Sequence, residues 1–251
     1  MRTQLSLKFT QGLSYSSDSF IVHSGVSSIT QAVGTLIAER RSAVVFINGE
    51  RATGKTHLAA YCAGVAQVVR GEALVVNGAN LQELDIVKLS HQKAKPSRRR
   101  VDYDSGDNGG GMLGAVVIDD ADLWLNQAGS EGALTALDDL VHQSRALVVL
   151  LSSVHMDALS LSSQTRSRIV AGVRLTIGVP MEAELGAILD AICKQRGIAL
   201  TEAKRDFVLR RVARTVPALT RFGDHLQALG ATAAASTSFE VLAEAVKHPA
   251  A

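Results

Sequence analysis

The sequence predicts a doubly wound α/β domain followed by a small all-helical one, and three observations carry that expectation. Five short apolar runs, Ala43–Asn48, Ala73–Asn77, Ala115–Asp119, Ala146–Ser152 and Val173–Ile177, recur through the first two thirds of the chain. Most are continuously apolar rather than alternating, as strands covered on both faces of a parallel sheet must be. Helical patterns separate them, at Ser28–Glu39, Lys55–Val69, roughly Leu81–Ser90 and Ser130–Gln143, and after Pro180 no strand-like run returns.

The C-terminal third reads as four helices: Met181–Gln195, Thr201–Arg214, Ala218–Gly230 and Ser238–Lys247. Pro180 suits a helix start, where a missing N–H costs nothing. Gly197 and Gly230 mark C-terminal stops, and Thr201 is placed to cap the next helix.

Composition bounds the function. The 251 residues are 47% hydrophobic and 20% charged, the balance of a globular chain with a real core. A net charge of +2 allows only local, weak or indirect contact with nucleic acid. Aromatic residues are 4%, too few for base stacking to be the main activity. No apolar run is long enough to cross a bilayer and no secretion signal is evident, so a cytoplasmic protein without membrane contact is expected. Cys62 and Cys193 lie in apolar helical patterns without metal-like spacing and are expected to be buried and reduced.

Two segments stand outside this pattern. Residues 92–111 are charged and then Gly-rich, which predicts a disordered insertion; its Arg98–Arg100 run suits either solvent or phosphate. Residues 1–19 read as a flexible tail, the α/β domain as 20–178 and the helical domain as 179–251.

One motif dominates. Gly49-Glu50-Arg51-Ala52-Thr53-Gly54-Lys55-Thr56 fits G-x-x-x-x-G-K-[ST] in full, straight after a predicted strand and at the start of a predicted helix. Its glycines let backbone N–H groups converge on phosphate oxygens, and the helix that follows adds its positive end. Lys55 is expected to reach the β and γ phosphates, Thr56 to ligate Mg²⁺, and His57 to join the nucleotide site. The strand Ala115–Asp119 ends in two carboxylates at the neighbouring sheet edge. Asp119 is expected to hold the Mg²⁺ shell, and Asp120 to orient an attacking water.

With these residues the chain resembles the AAA+ ATPases, and within them the Hda-type, DnaA-related regulators of bacterial replication initiation. Asp18–Val22 followed by Ser24–Ile29 resembles that clade's N-terminal approach to the core, and the doubled Asp119–Asp120 is its habit. Arg166-Ser167-Arg168-Ile169, then a strand, then Pro180, resembles the segment that carries its arginine finger. The resemblance implies an AAA+ P-loop core with a parallel five-stranded sheet, helices on both faces and a helical lid. It also implies bound ATP or ADP with Mg²⁺, and Arg168 acting on a neighbouring molecule's triphosphate, hence a homo-oligomer or dimer or at least transient subunit contact. Gln4-Leu5-Ser6-Leu7-Lys8-Phe9 resembles the peptide by which such proteins bind the DNA polymerase sliding clamp. Leu5, Leu7 and Phe9 would fill apolar pockets and Gln4 would supply an oriented hydrogen bond, though the same alternation also suits an edge strand. Little sequence follows the lid, so the initiator's helix-turn-helix DNA reader is not expected.

The chain departs from that pattern in two places. Val216-Pro217-Ala218-Leu219 stands where the family's lid carries a nucleotide-sensing arginine; Arg221, one turn on, is the substitute adopted here, with Arg214 a second candidate. Val154, after the fourth strand, stands where initiators tend to carry Asp. Both changes weaken discrimination of ATP from ADP and leave the phosphate cradle intact, so at most a weak ATPase is expected. The leading reading is a negative regulator that stimulates hydrolysis by the initiator DnaA while tethered to the clamp. A helicase loader or other replication accessory ATPase, and then a small-molecule P-loop kinase, are the alternatives.

Overall fold

In a computed structural model, residues 20–81, 113–127, 145–230 and 238–247 are described, together with positions 132, 135 and 137–143. The predicted tail, the 92–111 insertion and nearly all of the predicted helix Leu81–Ser90 lie outside the described residues.

All five expected strands form: β1 Ala43–Asn48, β2 Glu72–Asn77, β3 Leu113–Asp119, β4 Leu147–Ser152 and β5 Val173–Thr176. They make one parallel sheet in the order β2-β3-β4-β1-β5. Every β4 residue is buried, with Leu147, Val149 and Leu151 entering one core and Val148 and Leu150 the other. This two-sided burial is the cause of the continuous apolar runs.

Helices α1 (Ser24–Ala38) and α2 (Lys55–Arg70) cover the first face, where Ile29, Val33, Leu58 and Cys62 meet Val45 and Ile47. The second face carries α3 (Ala121–Asn126), a π-helical turn (Asp139–Gln143) and α4 (Ser163–Ala171). Trp124, Leu125, Leu140 and Ile169 pack there against Phe46, Ile118 and Leu150. α3 and α4 are additions to the sequence reading. α4 has a polar surface with only Thr165 and Ile169 buried, so its apolar stripe is too thin to register; its signal is the cap Ser162, whose Oγ accepts from Thr165 N at 3.1 Å.

The lid comprises α5 (Leu185–Gln195), α6 (Glu202–Leu209), α7 (Val216–Ala228) and α8 (Phe239–Lys247) around Leu189, Cys193, Phe222 and Leu226. Several boundaries differ from expectation, and α7 runs over Val216–Ala228 where Ala218–Gly230 was expected. α1 starts at Ser24 rather than Ser28, because the His23 ring accepts from Gly25 N and caps it there. α5 starts after Pro180 and a single turn at Glu182–Glu184. α6 stops at Leu209, five residues short of the predicted Arg214. Both cysteines are buried, as expected.

Glu184 joins lid to core. Its carboxylate accepts from Ser24 N (2.8 Å), the Ser24 hydroxyl (2.6 Å) and Met181 N (2.7 Å), and the Ser24 bonds hold it below the ordinary carboxylate pKa. Gly25 is required beside it: a Cβ there would meet Gly178 O at 2.2 Å. No helix among the described residues is long and apolar enough to cross a membrane. Leu150 is fully buried at the sheet's centre. Leu150→Ala is expected to cost about 2–5 kcal/mol of unfolding free energy, measured by urea denaturation; a cost near zero would contradict this packing.

Candidate functional site

The strand order sets the site. β4 separates β1 from β3, and α2, which leaves β1, crosses over to pack on β3 and β2. The start of α2 therefore meets the carboxyl end of β3. There Thr56 Oγ1 donates to Asp119 Oδ2 at 2.7 Å.

The loop between β1 and α2 is held on both sides. Gly49 N donates to Ser152 O at 3.0 Å, and the Thr53 hydroxyl to Glu50 O at 2.8 Å. Gly54 caps α2 at φ +91, a conformation closed to most side chains. Lys55 is 6% exposed, and its ammonium donates to Gly49 O (2.9 Å) and Glu50 O (2.7 Å). Burial lowers its pKa, against the opposing pull of Asp119, Asp120 and Asp122. Phosphate oxygens would replace those carbonyls with full negative charge.

The carboxylates are placed with equal care. Burial raises the Asp119 pKa, while the bond from Thr56 opposes it. Asp120 sits at φ +50, and Asn77 Nδ2, at the end of β2, donates to its Oδ2 at 3.0 Å. Asp122 is buried and accepts from Ser153 N at 2.9 Å, fixing the loop after β4. No group of three or more His, Cys, Asp and Glu among the described residues is arranged to hold a metal alone. The Thr56 hydroxyl and Asp119 carboxylate are hard oxygen donors side by side, which fits Mg²⁺ completed by phosphate and water oxygens.

A cavity of about 410 Å³ opens between this loop and the lid. The stretch Arg51–His57, Asp120, Asp122 and Ser153 form its polar floor; Phe20, Ile21, Ile188, Ala191, Ile192 and Val216 form an apolar upper wall. That size and mixture suit a ligand with one flat apolar end and one anionic end. The Gln195 amide lies 2.8–3.1 Å from His57 Nε2 and so ties α5 to α2. Arg196, on the wall, is neutralised by Asp224 (Nε–Oδ1 3.0 Å) and donates to Ile192 O at 2.8 Å.

Residues 51–57 and Asp120 of the sequence-derived set line this cavity; Gly49 backs the loop, and Asp119 lies beneath it. Arg221 does not line it. Val216 and Thr220, one turn apart, face inward, which turns Arg221 to solvent. Arg214 pairs instead with Glu182. Asn77, Asp122, Ser153, Gln195 and Arg196 were not assigned to the site by sequence. Asn77 and Ser153 do stand at strand carboxyl ends, where α/β ligands bind, whereas Gln195 and Arg196 have no local signal. Arg168 lies in the last turn of α4, half exposed, with Nε 3.0 Å from Asp138 Oδ1, and is not part of the cavity wall. Arg166 is anchored to Met156 O and Leu159 O. Gln4, Leu5, Leu7 and Phe9 lie outside the described residues.

Solved structures share this architecture. Domain III of the Thermotoga maritima replication initiation protein DnaA aligns over 94% of this chain and 98% of its own, with TM-score 0.71 and 17% identity. This is the AAA+ fold. AMPPCP-bound DnaA from Aquifex aeolicus matches over 91% of this chain and 67% of its own (TM-score 0.63, 15% identity). The Thermotoga maritima RuvB Holliday junction branch migration motor matches over 93% and 72% (TM-score 0.60, 19% identity). No protein-family model matches the sequence, and a search of curated proteins finds no significant relative.

Burial holds both His57 and His23 below the ordinary histidine pKa of 6.5. The unfolded chain then binds protons that the folded chain does not, so stability rises with pH in that window and falls on acidification. The melting temperature is expected to drop between about pH 7.5 and about 5.5, and the drop to shrink in the His23→Gln, His57→Gln double variant. An unchanged slope in that variant would contradict the assignment.

Proposed function

We propose that this chain binds an adenine nucleotide with Mg²⁺ and regulates replication initiation, stimulating ATP hydrolysis by the initiator DnaA while tethered to the sliding clamp. The observation that carries the reading is the position of Arg168. It is half exposed near the end of α4 and takes no part in its own cavity wall, so its guanidinium is available to another molecule's phosphates. The surface pair with Asp138 is weak enough to exchange for a triphosphate.

The roles divide by place. Residues 49–56 cradle the phosphates, with Lys55 leaving two carbonyls for the β and γ oxygens. Thr56 and Asp119 would hold the cation, which neutralises phosphate charge when bound. Asp120 orients water only in a geometry that frees it from Asn77, which suits a slow intrinsic ATPase. The apolar wall of Phe20, Ile21, Ile188 and Ile192 takes the base. Gln4, Leu5, Leu7 and Phe9 form the clamp peptide, whose weak single contact is strengthened by a ring offering several sites.

Phosphate release from ATP-loaded initiator is the test, with clamp, primed DNA and this chain present. Arg168→Ala is expected to remove most of the stimulation, toward the loss of about 10³–10⁵ typical of such fingers, while leaving this chain's own nucleotide affinity unchanged. Full stimulation by that variant would refute the finger. Leu5→Ala combined with Leu7→Ala is expected to abolish clamp pull-down, and retained binding would remove the tether.

A further inference from the structure

The end of the sheet opposite the cavity carries a cluster of arginines that the nucleotide site does not use. Arg41, Arg70 and Arg145 each stand two residues before a strand, ahead of Ala43, Glu72 and Leu147. Because the strands are parallel, this shared offset brings them to one edge; Ala43 and Leu147 are direct register partners. Arg70 binds the cluster together, donating to Arg41 O at 3.0 Å and to Arg145 O at 3.1 Å. Arg40 donates to Val69 O at 3.2 Å, and burial, with the charge of Arg40 second, lowers the Arg70 pKa. Arg40, Arg41 and Arg145 are exposed.

Bonds to two loop carbonyls account for Arg70, and a bond to Val69 O in the last turn of α2 accounts for part of Arg40. They do not account for the backbone at Arg40 and Arg145. Arg40 (φ +52) and Arg145 (φ +50) both occupy the left-handed region. Arg40 follows α1 where its N–H bonds to Ile37 O and that of Arg41 to Leu36 O, a helix stop normally closed by glycine. The chain thus keeps a bulky cation at two strained positions, beside a third guanidinium that repels it. Among the described residues at this end of the sheet, Glu39, 3.8 Å from Arg41, and Glu72, at the start of β2, stand against four arginines and leave the described cluster net positive.

We propose that this edge binds the phosphodiester backbone of duplex nucleic acid. The cations are all arginine, whose planar fork matches phosphate oxygens in pairs. Among the described residues, the exposed apolar side chains beside Arg70 are Val68 and Val69, too few to anchor in a bilayer. With three exposed guanidiniums the binding is non-specific, of the order of 10⁻⁴–10⁻⁶ M at physiological salt, and each phosphate contact adds about 0.9 to the logarithmic salt slope. The site lies at the far end of the sheet from the phosphate loop, so both can be filled together.

Fluorescence anisotropy of the full chain with a labelled 20-base-pair duplex, about that length so as to span two turns, across a salt series tests this. Arg41→Glu with Arg145→Glu is expected to weaken binding at least tenfold and to lower the slope by about 2, with nucleotide affinity unchanged. Arg40→Gly relieves the strained backbone, so it is expected to hold or raise the melting temperature while weakening DNA binding; a purely structural arginine would not move the second readout. Unaltered DNA binding in both variants overturns the proposal. So does wild-type binding to vesicles containing phosphatidylserine without binding to the duplex.

Discussion

The 2.7 Å hydrogen bond from Thr56 to Asp119 depends on chain topology before it depends on chemistry. The two residues are 63 positions apart and meet because β4, later in sequence, is inserted between β1 and β3. α2 must then cross β4 to rest on β3, which delivers its first turn to the end of that strand. An order that set β1 and β3 farther apart would leave the loop after β1 and the acidic end of β3 without a common edge. The cavity floor, the burial of Lys55 and the setting of Asp120 all follow from that one junction.

The lid completes the site through a few polar links rather than a continuous apolar seam. Gln195 reaches His57, and Glu184 holds the start of α1 through Ser24. Arg196 is a cation whose charge is already met by Asp224. The lid thus closes the apolar half of the cavity while adding little net charge toward the phosphates. That balance agrees with Pro217 at the start of α7, where the resemblance would have placed a sensing arginine. On the proposed function, discrimination by phosphate number would have to come from the loop and from a cation at Thr56 and Asp119.

Much of this was legible in the sequence, and for physical reasons. Strands buried on both faces write themselves as AVVFIN and ALVVLLS, and a phosphate loop needs glycines at set spacing. What escaped lies where tertiary contact overrides local pattern. α4 buries only Thr165 and Ile169, so nothing periodic marks it. His23 caps α1 with a ring nitrogen, outside the usual capping residues, and so hides the true helix start. Arg221 looked suitable by spacing alone, but helical rotation turns it outward and leaves Thr220 at the wall. Gln195 and Arg196 enter the site because the end of α5 meets the first turn of α2 through the Gln195–His57 bond, a contact that no sequence window reports.

On the proposed function, the Thr56–Asp119 junction is the seat for a phosphate-bound cation. Calorimetric titration of ADP, with and without Mg²⁺, into the full chain and into Thr56→Val addresses it most directly. One saturable site is expected, its affinity raised by Mg²⁺ in the natural chain, with the Mg²⁺ effect reduced at least tenfold in the variant. Equal Mg²⁺ dependence in the two proteins, or no binding at millimolar ADP, would contradict it.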